Sequence, residues 1–169
     1  ATVALMVFFT NSYRAMYYAD VQERLTDEAN LLASEILQLP EPERGGEALQ
    51  KIVDRYAGAL QSRITIIEPD GEVVAETEAD PFTMENHLDR PEVQQVLNGE
   101  TGYNIRYSTT KMMTMIYVAV AQEQNGMIER IVRLAKPLAQ VENRITRIRN
   151  TILVAGIMTI IIAFFASWL

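Results

Sequence analysis

The chain has 169 residues, a formal net charge of −7 and no cysteine. That length allows one ordinary domain with extensions, and the missing cysteine excludes disulfides and thiolate metal sites. The acidic balance argues against a nucleic-acid partner, which needs a basic face.

Ala1–Phe9 (ATVALMVFF) is apolar but too short to cross a bilayer alone. It reads as the trailing end of a first membrane helix over residues 1–12, with a signal peptide as the alternative. Asn11, Ser12, Tyr13, Arg14, Tyr17 and Tyr18 then suit a membrane interface. A long helix is predicted from Tyr13 to Leu39. Leu25, Ala29, Leu32, Ile36 and Leu39 share one face, with Glu23, Asp27, Glu28, Asn30 and Ser34 opposite. Pro40 and Pro42 end it, and PEPERGG (Pro40–Gly46) links to a second helix over Glu47–Leu60, striped by Leu49, Ile52, Val53, Tyr56 and Leu60.

The period then changes to that of strands. RITIIE (Arg63–Glu68) and EVVAE (Glu72–Glu76) flank Pro69-Asp70-Gly71, a tight hairpin turn. Asp80–Leu88 is irregular. Asp89 is placed to cap a short helix over Arg90–Asn98, with Glu92 completing a capping box, Pro91 in the first turn and Gly99 closing the end. Three strands follow: Tyr103–Ser108, Met112–Glu123 and Met127–Lys136, the last two joined by Asn125-Gly126.

From Pro137 the period is helical again. Leu138, Val141, Ile145, Ile148 and Ile152 form a seam at spacings of three and four. It runs from a membrane-proximal helix (139–150) into Thr151–Leu169, a second membrane helix whose 19 residues carry no charge. The predicted fold is therefore α/β and PAS-like. A five-stranded antiparallel sheet with a long N-terminal helix occupies residues 13–138, between two transmembrane helices.

RITIIEPDGEVVAET, MENHLDRPEVQQVLNGETGYNIRYSTT, MIYVAVA and IERIVRLAKPL, over Arg63–Leu138, resemble the extracytoplasmic PAS-like sensor of PhoR-type phosphate-response histidine kinases. The most specific part is Asn86–Glu92 (NHLDRPE) with Gly99, Gly102, Arg106 and Tyr107. The resemblance implies a multi-pass membrane protein, homodimeric, with its central domain outside the cytoplasm. It also implies a relay, a phospho-accepting histidine helix and an ATP-binding domain beyond the second membrane helix, acting on a cytoplasmic response regulator. A membrane or cell-wall component is a further expected partner. The arginines flanking the central domain (Arg14, Arg24, Arg144, Arg147 and Arg149), read by the positive-inside rule alone, favour the opposite topology.

The candidate ligand or signal contacts are His87, Arg90, Arg106, Tyr107, Tyr117 and Arg130. Arginines at 90, 106, 130 and 133 suit an anion or carboxylate, or else pair structurally. His87 is the only histidine, so it is a loop-pinning residue or a pH-responsive contact rather than a metal site. Glu41, Glu43, Glu76, Glu78 and Asp80 match no calcium-loop spacing. Met112, Met113 and Met115 read as packing residues. No catalytic constellation, metal or cofactor is expected in this stretch. The expected role is the input module of a sensor histidine kinase. The alternatives are the input of a chemoreceptor or cyclic-dinucleotide enzyme, and a membrane-tethered binding module without output.

Overall fold

The computed structural model describes the backbone of Thr2–Trp168. The side chains of residues 2–10, 140–142, 144, 145, 148, 149, 152 and 160 lie outside the described residues, and with them Val141, Ile145 and Ile148 of the candidate seam. The chain divides into two compact units, one formed by Ala1–Ala19 with Ala139–Leu169, the other by Asp20–Leu138.

Helix α1 (Thr2–Gln38) is longer than predicted and does not restart near Tyr13. No proline or glycine interrupts residues 2–39, so nothing in the backbone breaks it before Pro40. Helix α4 (Leu138–Trp168) is likewise unbroken and exposes Leu153, Val154, Ile157, Met158, Ile161, Ile162, Phe164, Phe165 and Trp168. Among the described residues, no helix is long and apolar enough to cross a membrane. The side chains of Ile152 and Ile160, and the whole of Leu169, all within the uncharged run, are not described.

In the second unit, Leu25, Ala29, Leu32 and Ile36 of α1 are buried, as their spacing predicts. The last carbonyls of α1 lack helical partners, and one side chain supplies them. Arg44 donates from Nε to the Leu39 carbonyl at 2.8 Å and from Nη2 to the Leu37 carbonyl. The same guanidinium reaches Gln124 at 3.3 Å and Glu129 at 3.8 Å, tying the helix end to the far hairpin. Helix α2 (Gly46–Leu60) buries Leu49 and Val53 and packs on strands β1 (Arg63–Ile67) and β2 (Val73–Glu76).

Strands β3 (Gly102–Ser108), β4 (Met113–Gln124) and β5 (Met127–Pro137) complete a five-stranded sheet of order β2-β1-β5-β4-β3, antiparallel throughout. Asn125 (φ 55°) and Gly126 (φ 76°) both take the left-handed conformation that a two-residue hairpin with native twist requires. Gly71 takes φ 92° in the β1–β2 turn.

Helix α3 (Pro91–Leu97) packs on β3, β4 and β5, but it does not start as predicted. Arg90, not Asp89, is the N-cap residue, and no side chain caps the helix. Glu92 makes no capping box. It is fully buried and turned toward the sheet, where two guanidiniums compete for it more strongly than a backbone amide would. The loop before α3 is fixed on the β1–β2 turn instead. Asn86 Nδ2 donates to the Asp70 carbonyl at 2.9 Å, and the His87 amide donates to the Gly71 carbonyl at 2.8 Å.

Strand alternation gives the sheet two different faces. Ile64, Ile66, Ile116, Val118, Val120, Val132 and Leu134 are buried on one. On the other, Ile67, Val73, Ala119 and Ile131 pack with Val93 and Val96 of α3, Met115 and Ala135 pack with Tyr117, and polar side chains lie among them.

Candidate functional site

On the α3 face, strand alternation gathers a staggered row of polar side chains, of which Glu76, Thr65 and Arg133 are in register while Tyr117 and Arg106 are offset along their strands. Glu76 of β2 stands opposite Thr65 of β1, Thr65 opposite Arg133 of β5, and Arg106 of β3 opposite Met115 of β4. Tyr117 of β4 lies within the row. Glu76 accepts from Arg63 Nε at 3.0 Å and from Thr65 Oγ1 at 2.7 Å. Arg133 Nη2 donates to Thr65 Oγ1 at 3.0 Å, and Nη1 donates to Glu92 Oε1 at 3.2 Å. Arg106 forks onto Glu92, from Nη2 to Oε1 at 2.8 Å and from Nε to Oε2 at 3.3 Å. Both guanidiniums also lie against the Tyr117 ring, with Arg106 Cζ at 4.1 Å and Arg133 Cζ at 5.1 Å from its centroid. The arrangement couples four strands and α3 through alternating charges.

Burial makes these contacts matter. Arg133 is 2 % exposed and Glu92 0 %, so each charge depends on its partners rather than on water. Burial alone would push the Glu92 carboxyl up. The hydrogen bond from Arg106 and the charges of Arg133 and Arg106 outweigh it and hold the acid below its ordinary range. Burial likewise lowers the pKa of Arg106, but bonding to Glu92 more than reverses that. At Arg133 burial prevails, and Glu92, Glu76 and Tyr117 offset it only in part.

Above the row is a cleft of about 20 Å³, room for little more than a water-sized group. Arg63, Arg90, Arg106 and Arg133 line it, with His87 and Tyr117. Three buried polar atoms of its lining have no hydrogen-bond partner: His87 Nδ1, Arg90 Nε and Arg133 Nε. The two guanidinium nitrogens are donors, the complement of a small oxyanion, while His87 Nδ1 accepts or donates according to its tautomer. Among the described residues, no group of His, Asp and Glu side chains is arranged to hold a metal ion.

Of the candidate contacts, His87, Arg90, Arg106 and Tyr117 are brought together here. Tyr107 is not. It follows Arg106 on the same strand, points to the other face and is exposed. Arg130 is three residues from Arg133 on β5, hence also on the opposite face, and pairs with Glu68 at 3.1 Å. Leu138 is half-buried at the start of α4. Arg63, Glu76 and Glu92 were not singled out as site residues by the sequence. The available signal was charge inside otherwise apolar strands.

His87 gives the site a pH signature. Burial, then the charges of Arg133, Arg90, Arg106 and Arg63, lower its pKa from 6.5 to about 3. The unfolded chain therefore takes up a proton near 6.5 that the folded domain refuses until about pH 3. This stability is complete above pH 6.5 and is lost as pH falls, at about 1.4 kcal/mol per pH unit once the unfolded histidine is fully protonated. The depressed Glu92 pKa acts in the same direction, but only below its ordinary value of 4.5. Between pH 6.5 and 4.5 the Tm of His87→Asn is therefore expected to fall less steeply than that of the wild type. Parallel Tm curves would mean that His87 titrates normally.

The Single Cache-like family model matches residues 15–137. No curated protein matches the sequence. Among solved structures, the ligand-binding domain of the Campylobacter jejuni chemoreceptor Tlp3, in complex with L-valine, superposes with a TM-score of 0.63 at 14 % identity, over 85 % of this chain. The Escherichia coli DcuS sensor domain gives 0.61 at 17 % identity, over 78 % of this chain and 98 % of its own. The sensor domain of the Vibrio cholerae histidine kinase DctB gives 0.63 at 12 % identity, over 83 % of this chain. The chain spans only 64 % of the Tlp3 domain and 58 % of that of DctB. At these identities the likeness is one of fold.

Proposed function

Because the chain belongs to the single Cache-like family, we propose that it is the extracytoplasmic sensor and membrane-anchored input portion of a bacterial two-component sensor histidine kinase. The observation that carries this reading is continuity. β5 passes directly into α4, so the helix that leaves the sheet also carries residues 151–168 of the uncharged run. An apolar surface exposed along that run calls for a non-aqueous cover, and a bilayer supplies one on every side. Residues 1–12, read as the trailing end of a first membrane helix, belong to the other crossing in this multi-pass reading, and the likeness of the fold to extracytoplasmic sensor domains supports placing the central domain outside the cytoplasm.

The chain has no native cysteine, so one introduced thiol reports its side of the membrane without background. Glu100→Cys sits in an exposed loop and is expected to react with a membrane-impermeant maleimide in intact cells. Labelling only after lysis would reverse the topology.

In this reading the chain provides input, two copies pair as a homodimer, and phosphotransfer to a response regulator belongs to a kinase portion. A seam at Leu138, Val141, Ile145 and Ile148 sets the register of the exit helix. One alanine inserted between Asn143 and Arg144 turns everything downstream by about 100° and is expected to lock or invert receptor output. Seven inserted residues are expected to restore it largely. Equal, graded losses from both insertions would make the segment a passive tether, as in a binding module without output.

The phosphate-response assignment follows the resemblance of Asn86–Glu92, Gly99, Gly102, Arg106 and Tyr107. The cleft favours small oxyanions without singling out phosphate. The fold shared with the Tlp3 domain supports a chemoreceptor input as the second reading.

A further inference from the structure

Two arginines converge on one carboxylate. Arg106 grips Glu92 with a fork and Arg133 reaches the same Oε1 at 3.2 Å. The three residues come from different elements, the arginines from β3 and β5 and the acid from the seven-residue helix α3. At the cleft beside them, Arg90 Nε and Arg133 Nε are buried and unpartnered. The Arg90 guanidinium also reaches Glu85 through Nη2 at 3.6 Å, so the cleft offers the two unpartnered Nε donors beside an acid of the chain's own already on two of its guanidiniums.

We propose that Glu92 is a resident competitor for the ligand of this cleft: an entering oxyanion takes the free Arg90 and Arg133 donors, displaces Glu92 from an arginine, and is thereby read out as a shift of α3. This inference rests on the sensor reading above. Two anions a few ångströms apart out of bulk water repel strongly, so the ligand and Glu92 do not share Arg133 at their full strength. The cleft admits only the head of a ligand, a carboxylate or phosphate group.

The backbone supplies the readout. A Cβ on Gly102 would collide with the Glu92 carbonyl, so the first turn of α3 rests directly on the start of β3. Val93 and Val96 anchor the same helix in the core. A displacement of Glu92 is therefore felt at Val93 and Gly102.

The test uses the full chain in detergent micelles, as wild type, Glu92→Gln and Glu92→Asp. Each is titrated with sodium phosphate or sodium acetate against sodium chloride at matched ionic strength, and followed by the amide resonances of Val93 and Gly102. Glu92→Gln keeps the shape and removes the competing charge. It is expected to bind at least one of the two anions about tenfold tighter than the wild type. Glu92→Asp keeps the charge, loses reach, and is expected to gain a smaller factor. It decides the question if Glu92→Gln does not fold. Saturating the wild type should move Val93 and Gly102 toward their positions in ligand-free Glu92→Gln. The two anions separate phosphate from carboxylate recognition. Equal affinities in all three proteins, no binding in any, or binding without movement at Val93 and Gly102 would overturn the proposal. None of these touches the topology or the insertion phenotypes, on which the sensor reading stands or falls.

Discussion

Glu92→Ala is expected to lower the stability of the domain by about 3–5 kcal/mol, more than a surface carboxylate could, because it strips two guanidiniums of their shared counter-ion at once. Arg133 suffers most. It is 2 % exposed, and its other partners are a hydroxyl, the Tyr117 ring and the more distant charge of Glu76. Chemical denaturation of the single variant and of Glu92→Ala with Arg133→Met separates the causes. If the loss comes from an uncompensated buried charge, methionine at 133 should recover roughly half of it or more, since an apolar side chain of similar length has no desolvation cost. A double variant no more stable than the single one would assign the loss to the packing of α3.

Gly71→Ala is expected to cost about 3 kcal/mol or more, from two independent sources. The backbone at φ 92° strains any residue with a Cβ, and that Cβ would run into Asn86 Oδ1, the Leu88 amide nitrogen and Leu88 Cβ. The collision is with the loop that carries His87, so relief of the strain would also move a cleft residue. Gly58→Ala is the control. Gly58 lies in α2 with open space around it, and alanine there should stabilise by about 0.5–1 kcal/mol through helix propensity. Thermal melts of the two variants should shift in opposite directions. A small shift at Gly71 would mean that the β1–β2 turn rearranges freely.

Much of this architecture was legible locally. Alternating apolar residues and the turn dipeptides at Asp70-Gly71 and Asn125-Gly126 mark all five strands, because period and turn geometry are properties of neighbouring residues. The site was less legible because it depends on register. Arg63 and Glu76 look like solvated strand ends, and only the pairing of β1 with β2 and β5 buries them together. Glu92 falls where a capping acid would, and the capping reading concealed an ion pair with residues 14 and 41 positions away. Two candidates were excluded by alternation itself. Arg106 and Tyr107 are strand neighbours and cannot share a face, and Arg130 and Arg133 differ by an odd number.

The polar row also bears on how the chain reaches its fold. A sheet with one apolar face and one largely apolar face offers little to distinguish the correct alignment of its strands from one shifted by a residue. Arg133 removes that ambiguity. Were β5 to slide one position against its neighbours, the guanidinium would turn among Ile64, Ile66, Val118 and Val120, with no acid to meet it. A two-residue slide would keep the face but carry Arg133 away from Thr65 and Glu92. The buried charges thus act as a proofreading key for strand alignment, and a domain that replaced the row with aliphatic residues would trade that fidelity for a more permissive, aggregation-prone sheet.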